Sequence, residues 1–258
     1  MKPRKRLTQD GWATDCGEVY SPPRVTKVAA RMGLKPAWAL DLTTLDPEDG
    51  EPWDFDNKDK RHKALRMLDQ DKPLLLVVSP MCGPFSAMNN INYSKMPVDE
   101  VRTKIKGAMQ HVKFALELCL KQYKDGRFFI FEHPASASSW STTMVRQMLN
   151  LQGIMTAKFD FCQLGMTTKD AQGAPAAAKK RTTIMTNSPN IGEVLRQAQC
   201  TGAHTNTNIW SEVRPSSAKC TRTSSSNCCA KESARRFRMP SGEGRWPDNL
   251  ISGARWNS

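Results

Sequence analysis

The chain reads as an α/β protein built on a doubly wound, mostly parallel sheet. Three observations carry that reading. Residues 72–78 and 127–131 are short apolar runs, the pattern of strands buried on both faces. Residues 100–123 set Val101, Ile105, Ala108, Met109, Val112, Ala115, Leu116, Cys119 and Leu120 at helical spacing and lead directly into the second run. Strand-like and helix-like segments alternate along the chain, the signature of a parallel sheet with helical connections.

The elements follow in order. Residues 17–21 read as a first strand and 22–32 as a helix, with Val25, Val28, Ala29 and Met32 on one face. Gly33 stops that helix. A second strand spans 38–42, and Trp53-Asp54-Phe55 ends a third. Residues 62–68 form the helix that feeds the 72–78 strand. A helix at 144–151 and a strand at 157–164 follow, then a surface loop over 167–178 and a basic turn that leads into a last strand. Cys119 and Cys162 read as packing residues.

Ser79-Pro80-Met81-Cys82-Gly83-Pro84-Phe85-Ser86 places one cysteine where the 72–78 strand ends. Reactive groups and ligands collect at the carboxyl edge of such sheets. Glu132 stands at the matching end of the next strand, before His133-Pro134. Either residue alone reads equally as a buried thiol or a surface carboxylate. Together they set two groups that one reaction would use at one rim.

The two segments resemble the hallmark motifs of DNA (cytosine-5)-methyltransferases, which carry Pro-Pro-Cys-Gln-x-Phe-Ser after one strand and Glu-Asn-Val after the next. Pro80, Cys82, Phe85 and Ser86 fall on the first motif, with Met81 and Gly83 as departures; Glu132 falls on the second. The resemblance implies a Rossmann-like methyltransferase fold and S-adenosylmethionine as cofactor. It implies Cys82 as the nucleophile that adds to cytosine C6 and Glu132 as the group that holds or protonates N3. The cytosine must first be flipped out of its duplex. Residues 179–187 are similar to the family's Gln-x-Arg-x-Arg segment, with Arg181 on its first arginine, Lys179 in place of the glutamine and Thr183 in place of the second arginine. The cofactor set implied in the same way is Glu18, Tyr20 and Ser21 on the first strand, Asp41 at the end of the second, Asp54 at the end of the third, and Pro80. Asp41 reads equally as a turn carboxylate before Thr43-Thr44. The chain departs from the family at its first loop, where Ser21-Pro22-Pro23-Arg24 replaces a glycine-rich turn and removes two N–H donors.

Composition bounds the rest. The 258 residues carry a net charge of +13, of which residues 1–6 contribute four basic groups and no acid. Residues 205–258 hold nine Lys/Arg against four Asp/Glu, so 7–204 are only mildly basic. Basic ends favour phosphate contact without reading sequence, which makes DNA, ahead of RNA, the expected partner. No run of 18 apolar residues and no signal peptide stands out, so the chain reads as soluble and intracellular, with no membrane partner. Lys2-Pro3-Arg4-Lys5-Arg6 would serve as a nuclear import signal. Eight cysteines without framework spacing suit a reducing compartment. Cys200, His204, Cys220 and Cys228 or Cys229 match no standard zinc spacing, and no metal site is assigned.

The chain divides into a basic arm at 1–16, an α/β domain at 17–200 and a basic tail at 201–258. From Thr205 onward only Ile209, Val213, Leu250 and Ile251 represent Ile, Leu and Val, too little to offset the entropy of ordering. An out-of-frame end would give the same loss of pattern. Two functions follow: a cytosine-5 methyltransferase-like enzyme, or an inactive module of that fold, derived from a mobile element, that binds nucleic acid or a protein. A thiol-dependent hydrolase, with His133 as base, is a third.

Overall fold

The computed structural model describes residues 12–170 and 172–202, the side chains of Met88 and Asn90 excepted. Its elements are β1 (Thr14–Val19), α1 (Val25–Arg31), β2 (Pro36–Leu40), α2 (Lys58–Asp71), β3 (Pro73–Val78), α3 (Ala87–Tyr93), α4 (Val98–Lys124) and β4 (Phe128–Pro134). These are followed by α5 (Thr143–Leu149), β5 (Met155–Asp160), β6 (Thr167–Lys169), β7 (Pro175–Ala177), β8 (Arg181–Thr186) and α6 (Pro189–Arg196). Single 3₁₀ turns at Gly83–Phe85, Ser138–Ser141 and Phe161–Leu164 join them. The 1–11 arm with its import signal, and the tail from 203 with His204, Cys220, Cys228 and Cys229, lie outside the described residues.

Six strands form one sheet in the order β2-β1-β3-β4-β8-β5. β1 is parallel to both β2 and β3, and β3 to β4, whereas β8 runs antiparallel to β4 and to β5. This is a mostly parallel, Rossmann-like α/β sheet, and its direction of winding reverses between β1 and β3. Ligands bind at such a switch point, outside the carboxyl ends of the strands.

Alternation along β4 divides the core between the two faces. Phe129 and Phe131 are wholly buried against Val112, Ala115 and Cys119 of α4 and Val145 and Met148 of α5. Ile130 packs on the other face with Ala157, Phe159 and Ile184, beneath Ile191 and Leu195 of α6. Each such side chain contributes about 1.5–3 kcal/mol by leaving water. Gly17 is a requirement of packing: a Cβ there would stand 3.2 Å from the Trp38 ring.

Several expectations are corrected. β1 starts at Thr14, ahead of residue 17, and strand β5 ends at Asp160, with a 3₁₀ turn where strand was expected to 164. α1 buries Thr26 and Ala29 while Val25, Val28 and Met32 stay exposed, because Glu18 draws Thr26 inward and sets the helix rotation. Within the expected 167–178 loop, Thr167–Lys169 and Pro175–Ala177 pair as the antiparallel strands β6 and β7.

Trp53-Asp54-Phe55 ends no strand, and only an isolated bridge pairs Leu45 with Pro52. An ion network replaces the missing strand. Asp46, fully buried, accepts Lys60 at 2.7 Å and Lys63 at 2.6 Å, while Lys60 also reaches Asp49 at 2.7 Å. The ammonium groups of Lys60 and Lys63 stand 5.0 and 5.5 Å from the centre of the Trp53 ring. This ties the 43–56 segment to α2 through charge where strand hydrogen bonds would otherwise do so.

Burial opposes ionisation of Asp46, but hydrogen bonds from Lys60 and Lys63 outweigh it and hold the pKa at about 2, below the ordinary 3.8. A depressed carboxyl pKa stabilises the fold above its unfolded value, and that stability is lost as pH falls through the folded one. Asp46→Asn should therefore lower the thermal midpoint at pH 7 by roughly 5 °C. Thermal melts from pH 7 to 2 should show the difference shrinking below pH 4 and nearly vanishing at about pH 2.

Candidate functional site

Cys82 follows β3 and caps the 3₁₀ turn Gly83–Phe85, which Pro84 helps to set. Its thiol is half-buried. Glu132 lies on the neighbouring strand, where Val78 pairs with Phe131 and so brings Glu132 level with Ser79. Lys180, just before β8, completes the group at 3.4 Å from Glu132 Oε1. Its ammonium also rests 5.0 Å from the centre of the Phe161 ring.

Two opposite charges and one thiol thus meet at the ends of three adjacent strands. Burial raises the Cys82 pKa, Lys180 lowers it and Glu132 raises it, with burial prevailing. The resting group is a thiol, tuned by two neighbours of opposite sign.

His133 fixes this loop from beneath. It is fully buried, its Nε2 donates to the Pro80 carbonyl at 3.1 Å, and its Nδ1 accepts from Ser139 Oγ at 2.6 Å. The carbonyl can only accept, which assigns the proton to Nε2. Burial lowers the His133 pKa to about 4, so the ring is neutral at pH 7. Both nitrogens are engaged away from Cys82, and the hydrolase reading loses its base.

The first loop is organised by Glu18. Its carboxylate, without solvent exposure, accepts the backbone N–H of Arg24 at 3.0 Å and Thr26 at 2.7 Å, the Thr26 hydroxyl at 2.7 Å and the Ser21 hydroxyl at 2.9 Å. An anion at a helix start satisfies donors that the helix cannot use itself. Glu18 and Ser21 are therefore occupied in shaping the loop.

Tyr20 next to them adopts φ 61°, a left-handed conformation that marks strain for an aromatic residue. Its ring packs on Phe55 at 4.8 Å, and its hydroxyl meets His111 Nδ1 at 3.0 Å. His111 Nε2 in turn lies 3.2 Å from Asp56 Oδ1. Asp56 and His111, with Met81, Pro84, Tyr93 and Lys104, line a cleft of about 500 Å³.

The remaining expected residues are placed as follows. Asp41 accepts from the Thr43 backbone and hydroxyl, the turn arrangement that its sequence also allowed. Asp54 is exposed and closes a turn onto the Asp56 N–H. Pro80 is buried and serves through its carbonyl. Arg181 is not joined to Cys82 and Glu132; it reaches Gln199 at 2.9 Å and Asp160 at 3.5 Å.

The residues that sequence reasoning missed are Lys180 and the pair His111 and Asp56. The signal for Lys180 was the strand period of two: Lys180 shares parity with Ile184, which pairs with Glu132. His111 sat unremarked on the buried side of the long helix, between Ala108 and Val112.

No protein-family model matches the chain, and no curated protein matches it. Among solved structures, it is similar to a methyltransferase from Entamoeba histolytica, with a TM-score of 0.35 and 9% identity over 68% of this chain and 53% of that one. The chain spans about half the length of that protein, and a likeness so slight carries no argument about its residues.

The charge arrangement yields a test. At pH 8, alkylation of the Cys82 peptide by iodoacetamide, followed by mass spectrometry, should speed up about threefold in Glu132→Gln and slow by a similar factor in Lys180→Met. Equal rates in all three proteins would separate Cys82 from its neighbours.

Proposed function

We propose that the protein is a DNA cytosine-5 methyltransferase-like enzyme. The observation that carries this reading is the position of the Cys82 loop between the cleft of Asp56 and His111 and the pair Glu132 and Lys180. Met81 lines the cleft beside Asp56 and His111, while Cys82, one residue on, is tuned by Glu132 and Lys180. A methyl donor on one side and a base on the other would meet at that loop.

The residues present fit such a donor. Asp56, with the apolar Met81 and Pro84, suits a cationic sulfonium, and Tyr20 meets the cleft through its hydroxyl on His111. Since Glu18 already takes the loop's N–H groups, side chains rather than loop backbone would hold the nucleoside. S-adenosylmethionine would supply an electrophilic methyl group.

Cys82 first loses its proton to solvent, which Lys180 favours. Glu132 takes up a proton from solvent and gives it to N3 as the Cys82 sulfur bonds to C6, and the C5–C6 electron pair becomes available at C5. After methylation a base removes the C5 proton, the C5–C6 double bond re-forms and the thiolate leaves. Lys180, 3.4 Å from Glu132 Oε1, would hold the carboxyl group in place and favour the anion that remains until the N3 proton returns to it as the thiolate leaves. DNA is the proposed substrate, drawn by the basic ends of the chain, and a nuclear site would follow from Lys2–Arg6. Among the described residues, no helix is long and apolar enough to cross a membrane.

One observation favours the second reading, an inactive module of the same fold that binds nucleic acid or a protein. Glu18 satisfies internally the donors that a glycine loop would offer to a ligand. Calorimetry with S-adenosylmethionine on full-length protein separates the two. The enzyme reading expects binding by wild type and Cys82→Ser alike, with methyl transfer to cytosine confined to the wild type. Absence of binding by the folded wild type would establish the second reading.

A further inference from the structure

A pair of thiols lies at the same edge of the sheet as Cys82, beside the outer strand β5. After α6 the chain turns back along β5: the Asp160 N–H donates to the Ala198 carbonyl at 2.8 Å, and the Cys200 N–H to Asp160 Oδ2 at 3.0 Å. Gln199 is held on both sides, by the Lys158 carbonyl at 2.5 Å and by Arg181 at 2.9 Å. Residue 160 thus runs beside 198, and two residues further along both segments stand Cys162 and Cys200. Both are half-buried, and their thiols hydrogen-bond to each other. By contrast, Cys16 and Cys119 are buried.

We propose that Cys162 and Cys200 form a dithiol site that closes to an intramolecular disulfide on exposure to a low-molecular-weight disulfide such as oxidised glutathione. One thiolate of the pair attacks a sulfur of oxidised glutathione, forming a mixed disulfide and releasing one glutathione thiolate. The second thiol loses its proton to solvent and displaces the other glutathione. The protein loses two electrons and two protons, and oxidised glutathione becomes two molecules of reduced glutathione. Burial, and then the bond to Cys200, lift the Cys162 pKa above its ordinary range.

The position gives closure a consequence. Phe161, adjacent to Cys162, donates its N–H to the Lys180 carbonyl at 3.1 Å and supports the Lys180 ammonium with its ring. The bond would fasten the end of the domain at Cys200 to the segment on which Lys180 rests. The site stands on its own geometry, independently of the methyltransferase reading.

The experiment is a glutathione redox titration of the folded full-length chain, with alkylation of free thiols, tryptic digestion and mass spectrometry. The expected result is a linked pair of peptides carrying Cys162 and Cys200. Half-closure should occur at a glutathione ratio about tenfold more reducing than the ratio that half-modifies Cys82. Cys162→Ser and Cys200→Ser, each checked for a wild-type circular dichroism spectrum, should both abolish the link. Two separately glutathionylated cysteines with no cross-link would overturn the proposal. So would Cys200 linked to Cys220, Cys228 or Cys229. The wild-type titration decides the matter even if a variant fails to fold.

Discussion

The carboxylate of Glu18 is the constraint on which the working end of this molecule depends. A buried charge is costly unless every lone pair finds a donor, and here four donors converge on it. They come from Ser21, Arg24 and Thr26, so the carboxylate folds the proline loop around itself and starts α1. The loop contains no glycine and needs none, because its shape is imposed by the anion at its centre. Tyr20, between Glu18 and Ser21, is forced into a left-handed conformation and directed towards Phe55 and His111. The same bonds rotate α1 so that Thr26, not Val25 or Val28, turns inward.

Strand register carries this order across the sheet. β1 pairs with β3, and Val19 beside Val78 brings the first loop and the cysteine loop to the same edge. β3 pairs with β4, which sets Glu132 near Cys82 and places His133 beneath Pro80. β8, inserted antiparallel, begins at this edge, and so the residue just before it, Lys180, is delivered there. One buried neutral histidine and one charged pair therefore set the surroundings of the thiol, the histidine through shape and the pair through electrostatics.

The parts legible in the sequence were those whose pattern is local. β3 and β4 are continuous apolar runs, and α4 repeats its apolar positions over many turns, so Cys82 and Glu132 could be placed at one rim without coordinates. The missing third strand was illegible because Trp53 and Phe55 are as apolar as strand residues, while the force that holds them comes from Asp46, Lys60 and Lys63, distant in sequence. Motif spacing points to Arg181, whereas parity against β4 points to Lys180, and Arg181 takes Asp160 as its partner. The partnership of Cys162 with Cys200 depends on the return of the chain after α6, which no local pattern encodes.

The central claim is that Cys82 attacks cytosine. The most direct measurement is intact-mass analysis after incubation with S-adenosylmethionine and an oligonucleotide whose cytosine carries fluorine at C5. Fluorine cannot leave as a proton does, so the covalent intermediate cannot resolve. The account predicts a stable protein–DNA adduct that maps by digestion to Cys82 and is absent from Cys82→Ser. No adduct despite cofactor binding, or an adduct on another cysteine, would contradict it.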